Sequence, residues 1–192
     1  MGTPSRFKIA FVGSHGVGKT TLCYGLAARL KARDISLELV HEVARRCPLP
    51  INEQTNLASQ SWILHTQIAE EIVAASGYPV VVTDRSALDN YVYLLVAAGR
   101  QPMLQGLVDA WMQTYDLLVM VPIVERPSPD GFRATDPVFQ RAIEERLDRE
   151  LAARDVPVLR LDVDARAHWL DRVEADVLAK LAPPQLELLH QV

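Results

Sequence analysis

Residues 13–20 read Gly13-Ser14-His15-Gly16-Val17-Gly18-Lys19-Thr20 and match G-x-x-x-x-G-K-[ST] at every fixed position. Glycines let the backbone curl so that successive N–H groups converge on phosphate oxygens. The lysine of such a loop reaches the β- and γ-phosphates, and the hydroxyl after it ligates Mg²⁺. The four fixed positions would coincide by chance in a chain of this length at a rate on the order of one in a hundred. The flanks sharpen the match. Phe7-Lys8-Ile9-Ala10-Phe11-Val12 is a short apolar strand, and Leu22, Leu26 and Leu30 behind the loop mark one helix face. A helix opening at Gly18 adds its positive end to the anion site.

Further from the loop, apolar runs and helical stretches alternate. Strands are predicted at Leu37–Val40, Tyr78–Thr83, Asp116–Val121 and Val156–Leu161. Helices are predicted at about 55–76, 86–98, 104–114, 136–154 and 165–181, with Gly77 and Gly99 as stops and Asp136-Pro137 as a start. Five strands with little alternation, each followed by a helix, call for a parallel sheet covered on both faces. The expected fold is α/β, a three-layer α/β/α sandwich with a five-stranded parallel sheet. One domain over 1–182 and a tail over 183–192 account for the chain.

Composition narrows the partners. The 192 residues carry 20 basic and 24 acidic side chains, a net charge of −4, which argues against nucleic-acid binding by net attraction. Only four of the basic residues are lysine, and Lys19 alone falls in a motif. Two cysteines, Cys23 and Cys47, support neither a disulfide framework nor a zinc cluster, and fit a reducing, cytoplasmic setting. No apolar run reaches the ~18 residues of a membrane span.

A phosphate loop that works with magnesium needs an acid at the end of a neighbouring strand. Asp84 follows Val80-Val81-Val82-Thr83, and Ser86 is the better cap for the next helix, which leaves Asp84 for the metal shell. Arg85 beside it either holds phosphate or pairs with a carboxylate.

Together the loop, Asp84-Arg85-Ser86 and an arginine-bearing segment before the last strand resemble P-loop nucleoside- and nucleotide-type kinases. The chain is more similar still to the AAA-type ATP-binding domain of bacterial nicotinamide riboside kinases. His41-Glu42-Val43-Ala44-Arg45-Arg46, Asp84 to Asn90 and Pro129-Asp130-Gly131-Phe132-Arg133 carry that likeness, in order, from about Phe7 to Leu181. It implies ATP or another NTP as donor, Mg²⁺, and a helical lid over about 123–154. It also implies that Glu42 or Asp84 acts on the acceptor hydroxyl, and that Arg133, Arg126 and Arg141 contact phosphate. Ser14, His15, Val17 and Thr21 join the fixed loop residues at the nucleotide. Arg45, Arg46, Trp62, Gln67, Arg85, Asp89 and Asn90 stand near the acceptor, with His65 and Tyr93 as further candidates. The Arg-x-Arg seen in many nucleoside kinases is missing.

The expected activity is transfer of a γ-phosphoryl group to a hydroxyl of a small nucleoside-, nucleotide- or metabolite-like acceptor, by a monomer or homodimer. A nucleotide-binding regulatory ATPase or GTPase and a polynucleotide-end kinase are the competing readings.

Overall fold

The computed structural model describes residues 6–51, 54–124 and 136–181. Its sheet holds β1 (Phe7–Val12), β2 (Leu37–Val40), β3 (Val80–Thr83), β4 (Leu117–Met120) and β5 (Val158–Arg160), ordered β2-β3-β1-β4-β5. Every pair is parallel, with Ile9 opposite Val82 on one side and Leu117 on the other. The helices are α1 (Lys19–Lys31), α2 (Leu57–Gly77), α3 (Ala87–Ala98), α4 (Pro102–Met112), α5 (Pro137–Ala152) and α6 (Trp169–Leu181).

The side-chain alternation of β1 builds two cores. Phe7, Ile9 and Phe11 pack with Leu22, Leu26 and Leu30 of α1 and Trp169, Val173 and Val177 of α6. Ala10 and Val12 face the other way, onto Leu88 and Tyr91 of α3, Met112 of α4, and Ile143 and Leu147 of α5. These are the α/β/α layers that the pattern predicts. The i+4 stripe of α5 packs inward as expected, with Ile143, Leu147 and Leu151 buried and Phe139 partly so. Asp136 caps α5 by accepting from Val138 N at 2.9 Å.

Two expectations need correction. The last helix does not start at Ala165: residues 163–168 form a 3₁₀ turn, Ala165 leaves helical geometry, and α6 begins at Trp169. Asp162 accepts from Asp164 N and caps that earlier turn instead. Arg154 pairs with Glu150 at 2.7 Å as the i,i+4 spacing predicts, but Arg149 Nε donates to the Glu145 carbonyl, not its carboxylate.

The order places β1 between β3 and β4, with crossovers leaving to either side. In open parallel sheets ligands gather at such a switch point, beyond the carboxyl ends of the strands. The phosphate loop, Asp84 and Glu42 follow β1, β3 and β2, so all three emerge on that edge.

Candidate active site

The loop after β1 takes conformations that favour glycine at three places: φ is 150° at Gly13, 77° at Gly16 and 95° at Gly18. At Gly13 a Cβ would also stand 2.6 Å from the Val121 carbonyl oxygen, so the chain passes where only glycine fits. Lys19 is buried, and its Nζ donates to the carbonyls of Gly13 at 2.8 Å and Ser14 at 2.5 Å. Burial, then the nearby Arg85 charge, lower its ammonium pKa to about 7. Ser14 Oγ is buried without a protein partner, and Val17 is buried in the core. Thr21 is exposed on α1.

Thr20 Oγ1 donates to Asp84 Oδ2 at 2.6 Å, bringing together the two oxygens expected to manage magnesium. Burial raises the Asp84 pKa, against the Thr20 hydrogen bond and the charge of Lys19. Ser86 caps α3, as expected, and leaves Asp84 to this contact. Hard oxygen donors from a hydroxyl and a carboxylate suit Mg²⁺, which keeps several waters and takes the rest from phosphate. Among the described residues no group of three or more His, Cys, Asp or Glu side chains converges as a separate metal cluster.

Arg85 pairs with a carboxylate. Its Nε donates to Glu42 Oε1 at 2.8 Å, both side chains are buried, and the guanidinium lies 5.3 Å from the Tyr93 ring centre. Burial works against this charge, but Glu42, Tyr93, Asp89 and Asp84 together outweigh it and hold the guanidinium above its ordinary pKa. Arg45 Nε takes the other Glu42 oxygen at 2.7 Å, and Arg46 pairs with Glu70. The Arg85 backbone has φ 152°, a costly value for a residue with a side chain. Its carbonyl is held by Thr83 Oγ1 at 2.7 Å and Gln67 Nε2 at 3.3 Å.

Gln67 leads into a network absent from the sequence reading. Its amide also donates to Glu71 Oε1, which accepts from Tyr115 OH at 2.7 Å; Glu71 Oε2 accepts from Lys8 Nζ and Trp111 Nε1, each at 2.8 Å. Tyr115 OH in turn accepts from Ala87 N at the start of α3. A fully buried carboxylate is thus satisfied by four donors and ties β1, α2, α3 and α4 together behind the Asp84-Arg85-Ser86 turn. The available signal was a lone lysine inside an apolar strand.

Two residues expected at the acceptor are committed inside the protein. Gln67 is fully buried in that network. Asp89 turns Oδ1 to Gly13 N at 3.0 Å and Oδ2 to the backbone N and hydroxyl of Ser86, so it anchors the phosphate loop to α3. Ser86-x-x-Asp89 has the spacing of a capping box, a sequence signal for half of that role. Asn90 is buried beside it and Trp62 is half-buried on α2; His65 is exposed and bonded to its own helix. Arg141 is exposed on α5, and Arg126 and Arg133 lie outside the described residues, as does the tail.

A cavity of about 640 Å³ opens beside Thr20 and Asp84. It passes Glu42 and follows the open edge of β2 to Glu38 and Tyr78, with Tyr24 of α1 on one wall. Tyr24 stacks on His41 at 5.7 Å. Volumes of this size suit a small organic ligand.

A parallel sheet of this order with a phosphate loop at its switch point defines a P-loop NTPase fold. Residues 8–171 match the model of the AAA domain family, and the chain belongs to that family. The crystal structure of NadR protein in complex with NR superposes with a TM-score of 0.72 at 22% identity, over 89% of this chain and 51% of that one. This chain therefore spans about half the length of that protein, and the likeness establishes the common fold. No curated protein matches the sequence. Among the described residues no helix is long and apolar enough to cross a membrane.

Proposed function

We propose that the protein is an ATP- and Mg²⁺-dependent phosphotransferase that moves the γ-phosphoryl group to a hydroxyl of a small nucleoside-like or other metabolite acceptor. One observation carries this reading: the Thr20–Asp84 pair stands at the mouth of a cavity that also contains Glu42. A switch protein needs the first feature and not the second.

In this reading the loop amides and Lys19 hold the donor's β- and γ-phosphates, and Thr20 and Asp84 hold the metal. Mg²⁺ held there would offset phosphate charge during transfer. Glu42 orients the acceptor hydroxyl. Its two oxygens are fixed by Arg45 and Arg85, which fits a positioning role in a loose transition state where geometry outweighs basicity. Asp84, the other candidate base, already accepts from Thr20. Arg126, Arg133 and Arg141 supply the remaining phosphate contacts. Both arginines lining the cavity, Arg45 and Arg46, bond to carboxylates, and Glu38 adds another acid, so the lining favours an uncharged acceptor over a phosphorylated one.

The test is acceptor-stimulated ADP release across a panel of nucleosides, nucleotides and hydroxylated metabolites. Stimulation that is lost in Lys19→Ala is expected. Tight nucleotide binding with no stimulation by any acceptor would favour a regulatory ATPase, and preference for oligonucleotide 5′ ends would favour a polynucleotide-end kinase.

A further inference from the structure

We propose that His15 is a positioning residue that sets the Arg85 side chain, and through it Glu42, from inside the phosphate loop. Its value to phosphoryl transfer rests on the function proposed above, but its contacts do not.

His15 fills one of the motif's open positions, where any residue that lets the chain pass would serve. Its side chain is nonetheless buried at 4% exposure. Its Nδ1 lies 3.0 Å from Tyr93 OH, its ring packs 5.8 Å from Phe139, and its carbonyl accepts from Gln140 Nε2 at 2.9 Å. Phe139 and Gln140 belong to the first turn of α5, so the loop is pinned to that helix through both ring and backbone.

The Tyr93 hydroxyl is the joint. It is hydrogen-bonded to His15, and the Tyr93 ring lies under the Arg85 guanidinium, 5.3 Å from it. His15 fixes the hydroxyl end of the ring on which Arg85 lies, and Arg85 holds Glu42 at 2.8 Å. A long cationic side chain is costly to order, so fixing it in advance preorganises the acceptor carboxylate.

Arginine Nε–H exchange in the full-length protein reads this directly. Arg154 is an internal control, because its side chain is as buried as that of Arg85 (7% each) and its Nε donates to Asp109. His15→Ala is expected to speed Arg85 Nε–H exchange by about tenfold and to leave Arg154 unchanged. Acceleration of both arginines would mean general loosening, and acceleration of neither would mean no coupling; each result overturns the proposal. Tyr93→Phe gives a second reading, because it removes the hydroxyl that His15 holds and keeps the ring under Arg85. It should speed Arg85 Nε–H exchange as His15→Ala does, and an unchanged rate overturns the proposal. Neither measurement uses an acceptor, so failure to find one leaves both results standing.

Discussion

Asp89→Asn separates the two jobs of one carboxylate. In the wild type Oδ1 accepts from Gly13 N at 3.0 Å, and Oδ2 accepts from Ser86 N at 3.0 Å and Ser86 Oγ at 2.7 Å. Asparagine keeps one acceptor oxygen and replaces the other with an NH₂. Ser86 offers two donors and Gly13 one, so the remaining oxygen turns to Ser86 and the amide nitrogen meets Gly13 N–H. The cap of α3 survives. The loop loses a charge-assisted hydrogen bond and gains a donor against a donor, at about 2–3 kcal/mol. Because the damage falls on the loop, nucleotide affinity should drop by roughly 30- to 150-fold, while urea stability falls by less than ~1 kcal/mol. Calorimetric titration with ATP and urea unfolding measure the two separately. Ser86→Ala is the converse, costing about 1 kcal/mol of stability with affinity within a few-fold. If Asp89→Asn lost stability but kept its affinity for ATP, Asp89 would be a helix cap only, and its anchoring of the loop would be refuted.

Lys8→Met leaves the Glu71 carboxylate buried beside three neutral donors and should cost about 3–5 kcal/mol in urea unfolding; Lys8→Met with Glu71→Leu should cost less than the sum of the single changes. Gly18→Ala meets no atom within 4 Å and pays only for its positive φ, about 1–3 kcal/mol, whereas Gly13→Ala adds the collision with the Val121 carbonyl, for roughly 2–6 kcal/mol in total. Burial, then the Glu71 charge, raise the Tyr115 pKa well above its ordinary value, so the stability gained by keeping the phenol neutral is complete below pH ~10 and is lost as pH rises beyond it. Ultraviolet titration should show Tyr115 ionising only as the protein unfolds, and Tyr115→Phe should move the alkaline transition.

The parts of the site legible in the sequence are those that short spacing defines. Lys19 and Thr20 are fixed by their loop, and Asp84 by the end of a buried strand. The Thr20–Asp84 contact then follows from β1 and β3 being neighbours. Pairings between distant segments were out of reach. Arg85 had two readings because its partner Glu42 is 43 positions away, and nothing local chooses between phosphate and carboxylate. Asp89 and Gln67 were misassigned for a related reason. A polar residue near a site looks the same in sequence whether it faces a ligand or the backbone behind the site. For Gln67 the distinction lay in Glu71 one turn on, and for Glu71 in Lys8, which only folding brings near.

The described site is balanced in charge. Lys19, Arg45 and Arg85 face Glu42, Asp84 and Asp89, three cations against three anions, and both arginines already bond to Glu42. Lys19 is held by loop carbonyls and carries a lowered pKa. A polyphosphate therefore gains little from the two arginines as they stand, and Lys19 reaches it only by leaving those carbonyls. Its binding must draw on the loop's backbone N–H groups, on the positive end of α1 and on Mg²⁺ at Thr20 and Asp84. Transition-state charge then calls for cations from elsewhere, and the arginine-bearing stretch between β4 and α5, with Arg126 and Arg133, is where the chain has them to give. Under the proposed function, binding falls to the loop and rate to those arginines.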